Sequence, residues 1–298
     1  MKNKYLTTNE IAKIWNLSER SVRNYCNHGK VPGAILDGKI WLIPQEAQKP
    51  KRQVRFSNKA KKLSEILKEQ KQSSLKGGIY HKIQIEMTYN SNHIEGSKLT
   101  HDQTRYIYET QTIGISDTNV KVDDIIETVN HFRCVDLVID AANYKLSESF
   151  IKQLHFVLKT GTSDAAKPWF KVGDYKALPN EVGEQSTTDP INVKQEMTRL
   201  LSEYNSKVNI TIEDIIEFHK KYESIHPFQD GNGRVGRLIM FKECLRNNIV
   251  PIIILDEFKE CYYRGLKEWK NEKGYLIDTC LHGQDIVKTY LDYFHIKY

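Results

Sequence analysis

The chain has 298 residues, 39% hydrophobic and 28% charged, with 8 prolines. That is apolar material for one large and one small domain, and it is not the composition of a disordered chain. The five cysteines (Cys26, Cys134, Cys244, Cys261, Cys280) are odd in number and lack a Cys-x-x-Cys pair, which argues against a disulfide framework or zinc ribbon and for a reducing, cytoplasmic setting. The first residues are polar, and the longest apolar run, 249–255, contains Pro251 and is too short to span a bilayer. No membrane association is therefore expected. Charge is uneven: residues 1–59 hold twelve Lys and Arg against four Asp and Glu, a net of +8, while the whole chain is +6, so residues 60–298 are net −2. A basic end of this kind suggests a polyanionic partner.

Residues 1–48 read as a small domain. Thr7 and Glu10 form a capping box for a helix carrying Ile11, Ala12 and Trp15 on one face. Ser18 caps a second helix over 19–27, with Val22 and Tyr25 inward and Arg20, Ser21, Arg23 and Asn24 outward. Gly29 stops it, and Asp37-Gly38 between apolar runs predicts a hairpin carrying Lys39. Two short helices, a tight turn and a hairpin resemble a winged helix-turn-helix of the MerR/excisionase kind. That resemblance implies DNA binding, with Arg20, Ser21, Arg23 and Asn24 in the major groove and Lys39 on a phosphate. The competing reading is a protein-interaction domain with a solvated basic face.

Residues 49–62 (Lys49-Pro50-Lys51-Arg52 and onward) read as a basic linker, and 63–298 as a second, all-α domain. Apolar periodicity predicts helices near 59–74, 78–94, 100–110, 121–143, 147–159, 191–206, 211–224, 233–247, 257–272 and 284–296. The glycine- and proline-containing stretch 160–190 breaks the pattern and is expected to be loop or hairpin.

Chemistry concentrates at 226–237, His-Pro-Phe-Gln-Asp-Gly-Asn-Gly-Arg-Val-Gly-Arg, between two predicted helices. Glycines flanking a short polar residue just before a helix build a row of backbone N–H groups at a positive helix end, a phosphate cradle. Arg234 and Arg237 add charge-assisted donors. Asp230, beside bound phosphate, is placed as a magnesium ligand, and His226 to accept a proton from an attacking hydroxyl.

This string resembles the Fic-family motif at every defined position. Asn130-His131, Leu154-His155, Val172-Gly173-Asp174-Tyr175-Lys176 and Cys261-Tyr262-Tyr263-Arg264-Gly265-Leu266 extend the likeness over roughly 80–270, with Lys176 where the family usually has Arg. The resemblance implies a mainly α protein: an all-α Fic core with a short β-hairpin flap, behind the helix-turn-helix. It implies AMP transfer from ATP, with Mg2+, to a Ser, Thr or Tyr hydroxyl of a target protein or of the chain itself. His226 would be the base and Asp230 the metal ligand. Gly231, Asn232 and Gly233 would form the anion hole, Arg234 and Arg237 would hold phosphates, Tyr262 and Tyr263 would border the base, and Phe228 would anchor the loop. Gly233 favours AMP transfer over the phosphate transfer of the Doc branch, which has Lys there. Targets would pair with the flap near 173–190, and homodimers are common in this class.

Upstream, Ser91-Asn92-His93-Ile94-Glu95-Gly96 resembles the family's inhibitory pattern, on a helix near 78–96. It implies that Ser91 and Glu95 restrain the site, Glu95 by pairing with Arg237, and that the same Glu95 can serve AMP removal. The bland reading is a helix ending at a glycine cap. Two alternatives to an autoinhibited transferase remain: a DNA-binding regulator whose second domain senses nucleotide, and transfer from another nucleotide donor.

Overall fold

The computed structural model describes residues 5–15, 17–27, 29–50, 61–114, 119–183 and 185–297 and divides the chain into two units, 1–59 and 60–298. The first unit runs β1 (Tyr5–Thr7), α1 (Thr8–Trp15), α2 (Glu19–Asn27), β2 (Ile35–Asp37) and β3 (Ile40–Pro44), with an antiparallel sheet of order β1-β3-β2. The capping box is present: the Glu10 carboxylate accepts from the Thr7 N–H at 2.8 Å, and the Glu10 N–H reaches the Thr7 hydroxyl at 3.4 Å. Strand β1 was not expected, because three residues are too few to show an alternating pattern. The hairpin turn is Gly38-Lys39 and not Asp37-Gly38. Asp37 pairs with Ile40, and Gly38 takes the left-handed conformation the turn requires (φ +60°). Ile11, Ala12, Trp15, Val22, Cys26, Val31 and Ile43 form the core of this unit. Most of the expected basic linker, 51–60, and the side chains of Arg20 and Asn24 lie outside the described residues.

The second unit is helical: α3 (Leu63–Gln72), α4 (Ile79–Ile94), α5 (His101–Thr110), α6 (Val122–Asp140), α7 (Glu148–Lys159), then a two-stranded hairpin of β4 (Glu181–Val182) and β5 (Gln185–Ser186). There follow α8 (Pro190–Ser206), α9 (Ile212–Ile225), α10 (Asn232–Arg246), α11 (Lys259–Glu268) and α12 (Gly274–Tyr293). The hairpin fills the stretch expected to be irregular. Helix α12 begins ten residues before the predicted 284, and α11 stops at Glu268 instead of 272. Gly283 reads as a breaker but is an inter-element contact: a Cβ there would lie 2.6 Å from the Ile253 carbonyl oxygen. Among the described residues no helix is long and apolar enough to cross a membrane.

Helix α10 is buried around nearly its whole circumference. Val235, Leu238, Ile239, Phe241 and Leu245 enter the main core with α4, α6, α7 and α9. Met240 and Cys244 enter a second core with Ile215, Ile252, Tyr262, Leu276 and Cys280. Each fully buried side chain of this size contributes roughly 1.5–3 kcal/mol. The N-terminus of α10, and the loop that feeds it, are thereby held on a rigid support.

Candidate active site

Helix α9 ends at His226, whose backbone is left-handed (φ 52°, ψ 62°). Glycine often occupies such a helix end. The loop then closes on itself. The Phe228 N–H donates to Asn232 Oδ1 at 2.8 Å, and Asn232 Nδ2 donates to the Phe228 carbonyl at 2.8 Å. The Asn232 side chain is thus committed to the loop, and it can serve an anion only through its backbone. Phe228 is fully buried and stacks flat on His155, 3.9 Å between centroids. His155 in turn accepts from the Gly173 N–H at 2.9 Å and reaches the Asp230 carbonyl at 3.2 Å, joining loop, α7 and flap base.

Gly231 is left-handed (φ +81°), and a Cβ there would meet Leu158 at 3.3 Å. The first intrahelical bond of α10 runs from the Val235 N–H to the Gly231 carbonyl. The N–H groups of Asn232, Gly233 and Arg234 therefore have no intrahelical acceptor and open toward an anion, as helix starts do.

His226 is mostly buried, its Nδ1 4.0 Å from Glu223 Oε2. Burial, and after it the charge of Lys176, pull the imidazole down to about 4, so it is neutral at pH 7 and able to accept a proton. Asp230 is 47% exposed. Burial opposes its ionisation, but Arg234 and Lys159 outweigh it and hold the carboxyl well below the usual range. Arg234 pairs with Glu127 and lies 3.3 Å from Asp230. Arg237 is buried; its Nε donates to Ser91 Oγ at 3.0 Å, and its Nη2 to the Ser91 carbonyl at 2.8 Å and to Glu95 Oε1 at 2.7 Å. Its Nη1 is buried without a bond among the described residues. Glu95 follows the last residue of α4, and the left-handed Gly96 turns the chain away, so the glycine cap and the ion pair coexist. A Cβ on Gly233 would fall 2.2 Å from Glu95 Oε1. The Glu95 carboxylate lies against the cradle itself.

The two tyrosines divide. Tyr263 is half-exposed, and its hydroxyl donates to the Ile94 carbonyl at 3.0 Å, beside Glu95. Tyr262 is buried, its hydroxyl 2.7 Å from His219 Nε2 and its ring 5.7 Å from the Arg237 guanidinium. It touches the site through Arg237, while Tyr263 holds the more open position.

Three groups were not anticipated. Buried Lys159 lies 2.6 Å from both Glu127 Oε1 and Asp230 Oδ2. Its signal was the i, i+4 spacing from His155 on α7, matched by Glu127 and Asn130 on α6. Glu223, one turn before His226, is buried and pushed up to about 8 by that burial. Lys176, noted only as a departure from Arg, fastens the flap: its N–H donates to the Pro227 carbonyl at 2.9 Å and its ammonium to Asn180 and Thr187 at 2.7 and 2.6 Å.

Comparison with known proteins agrees with this geometry. The family description "Fic/DOC family" matches residues 145–244, which span α7 through α10 and the loop between α9 and α10. Residues 145–244 are thus similar to the Fic/DOC family. A helix-turn-helix domain matches residues 5–47. A protein adenylyltransferase Fic from Nematostella vectensis is 26% identical over 184 residues, covering 60% of this chain and 42% of that protein. The chain spans only 35–42% of the length of such curated relatives. A Fic domain containing signaling protein from Bacteroides thetaiotaomicron superposes with a TM-score of 0.59 at 28% identity, over 77% of this chain and 90% of that one. A Fic family protein from Desulfovibrio desulfuricans superposes at 0.60 and 22% identity, over 78% and 73%, and supports the fold alone.

In the DNA-binding expectation, Arg23 is exposed on α2 and pairs with Glu19 at 2.6 Å. Ser21 is half-buried against Ser18 at 2.9 Å, and so is not fully outward. Lys39 is exposed at the hairpin tip, whereas Lys49 is spent on the Trp15 carbonyl at 2.8 Å.

Proposed function

We propose that this chain transfers AMP from ATP to a protein hydroxyl, is restrained at rest by Glu95, and carries a DNA-binding head. The observation that carries this reading is the loop at 226–237: an imidazole at the end of α9, a half-exposed carboxylate and a row of N–H groups at the start of buried α10, held in one closed turn. Nucleotidyl transfer needs positioning and charge neutralisation more than covalent chemistry. His226 takes the proton as the hydroxyl oxygen bonds the α-phosphorus. The bond to the bridging oxygen breaks, and pyrophosphate leaves with that electron pair. The open N–H groups and Arg234 receive phosphate oxygens, and Arg237 receives the terminal phosphate once Glu95 withdraws.

Mg2+ fits the residues present. Among the described residues no group of three or more His, Cys, Asp and Glu could hold a metal, and Mg2+ is commonly bound by one or two carboxylates together with substrate phosphates. Asp230 offers the hard oxygen beside the cradle, and the ion would neutralise phosphate charge there. The flap, held by Lys176 and by Asn180 (Nδ2 to the Phe228 carbonyl, 3.0 Å), presents the short β4–β5 edge to an extended target segment. The first unit, with net +8 and a helix-turn-helix, supports binding to DNA.

The test is incubation of wild type, Glu95→Gly and His226→Ala with nucleotide triphosphates labelled at the α-phosphate. Incorporation from ATP that requires His226 and rises in Glu95→Gly is expected. Incorporation from UTP or GTP but not ATP would move the donor, and none from any donor would favour a nucleotide-sensing regulator.

A further inference from the structure

Lys159 is a buried member of the site cluster to which the proposed chemistry assigns no task. Its side chain is 2% exposed, and its ammonium lies 2.6 Å from Asp230 Oδ2, 2.6 Å from Glu127 Oε1 and 3.1 Å from Asp164 Oδ2. Its position is fixed from behind. Asn130 Nδ2 donates to the carbonyls of Leu158 and Thr160, at 3.1 and 2.8 Å, and so clamps the end of α7. The Thr162 hydroxyl donates to the Lys159 carbonyl at 2.8 Å. A cation at a helix C-terminus is favoured by the helix dipole. The ammonium is thus aimed at the same carboxylate that the proposed function gives to the metal.

We infer that Lys159 is a tethered cation which holds Asp230 at rest and which a divalent ion displaces only when it arrives with nucleotide. This rests on the nucleotide-site reading above. Two features carry it. First, displacement is affordable: when Asp230 turns to a metal, the buried ammonium keeps Glu127 and Asp164, so it is never left uncompensated. Second, the local charge disfavours a bare ion. Lys159 and Arg234 stand among Glu127, Asp164 and Asp230, and Lys167 also pairs with Asp164, at 2.6 Å. The three cations balance the three carboxylates, so a bare divalent ion finds no net negative charge there until bound phosphate supplies it. Lys159 is therefore a positioning residue that couples metal entry to nucleotide entry and excludes metal alone.

The full chain is titrated with MgCl2 in the presence and absence of a fluorescent ATP analogue, reading both the analogue's fluorescence and heat of binding. In wild type, Mg2+ alone is expected to give no saturable heat, while the Mg2+ midpoint for the analogue is measurable. Lys159→Met is expected to lower that midpoint about tenfold, because a unit charge a few ångströms from the ion is removed, and to make binding of Mg2+ alone detectable. Lys159→Arg, which keeps the charge, should stay within about twofold of wild type. Asp164→Asn removes a competing anchor, so Lys159 leans on Asp230 and the midpoint rises about two- to threefold. A midpoint that is unchanged or raised in Lys159→Met overturns the inference. Where that variant does not melt cooperatively, an unchanged midpoint in Asp164→Asn overturns it. Absence of any metal-dependent analogue binding in wild type would instead sink the nucleotide-site reading and the inference with it.

Discussion

Replacing Glu95 with Gly removes one bond and one obstruction at once. The bond is the 2.7 Å contact from Arg237 Nη2 to Glu95 Oε1, between a buried guanidinium and a carboxylate 27% exposed. A hydrogen bond to a charged group of this kind contributes roughly 1.5–3 kcal/mol. Arg237 does not lose its place, because Ser91 still accepts from its Nε and Nη2. What changes is who holds the guanidinium: without Glu95, the terminal phosphate of ATP meets no competing carboxylate. If that whole free energy separates the resting from the productive pose, AMP incorporation rises ~10- to 150-fold, since 1.4 kcal/mol is a factor of ten. The assay is the initial rate of label transfer from α-labelled ATP, to the chain itself and to a bacterial lysate, at matched protein concentration. Ser91→Ala, which leaves Glu95 in place, should change the rate by far less. A Glu95→Gly rate no higher than wild type would refute the restraint.

Gly233→Ala should lower the melting temperature of wild type, where its Cβ would meet Glu95 Oε1 at 2.2 Å, but cost less than half as much in Glu95→Gly; equal losses in both would refute the contact. The acid limb of the transfer rate should fall near pH 4 and not near 6.5, because His226 is held down to about 4, and Lys176→Met should move that limb upward by removing the second contributor to the shift. Thermal stability should decline as pH falls from 6.5 toward 4: His226, and His155 and His219 at about 3, are folded neutral, so the unfolded chain binds protons first and the stability present above 6.5 is lost, by about 1.4 kcal/mol per histidine per pH unit. Affinity for duplex DNA should fall as salt rises, and Lys39→Ala should shallow the log–log slope by about 1; salt-independent binding would remove the DNA assignment.

How much of this was legible in the sequence depended on whether a feature was local. The position of the loop at 226–237 between two helices was legible, because its glycines, its carboxylate and its two arginines are contiguous and precede a helix start. The helix over 79–94 was equally plain from period. What escaped reading was set by contacts between distant segments. Gly283 looks like a break, and only the Ile253 carbonyl against it shows why the helix runs through. Tyr262 looks like half of an aromatic pair, and its burial against His219 is a packing outcome invisible in Tyr-Tyr. The bonds that the Asn232 side chain makes across the turn to Phe228 are likewise not legible in Gly-Asn-Gly. Lys159 is the clearest case. A lone lysine near the end of a helix is normally solvated, and its i, i+4 spacing from His155 does not by itself say that Glu127 and Asp230, 32 and 71 positions away, surround it.

Those distant contacts place two ionic restraints on the site. Glu95 lies against the Gly233 end of the cradle through Arg237, where a terminal phosphate is expected. Lys159 occupies Asp230 at the other side of the loop, where a metal is expected. On the proposed reading the first is an anion that a triphosphate would displace, and the second is a cation that a divalent ion arriving with nucleotide would displace. On that reading metal-bound ATP is the one ligand that supplies both charges together: a free nucleotide would release only Glu95, and a free ion neither. The two restraints act on different groups of the ligand. Removing Glu95 should therefore change transfer far more than the Mg2+ midpoint, and removing Lys159 should do the reverse. A Glu95→Gly variant that moved the Mg2+ midpoint as strongly as Lys159→Met would mean that a single, shared rearrangement opens the site, and the two-restraint account would fail.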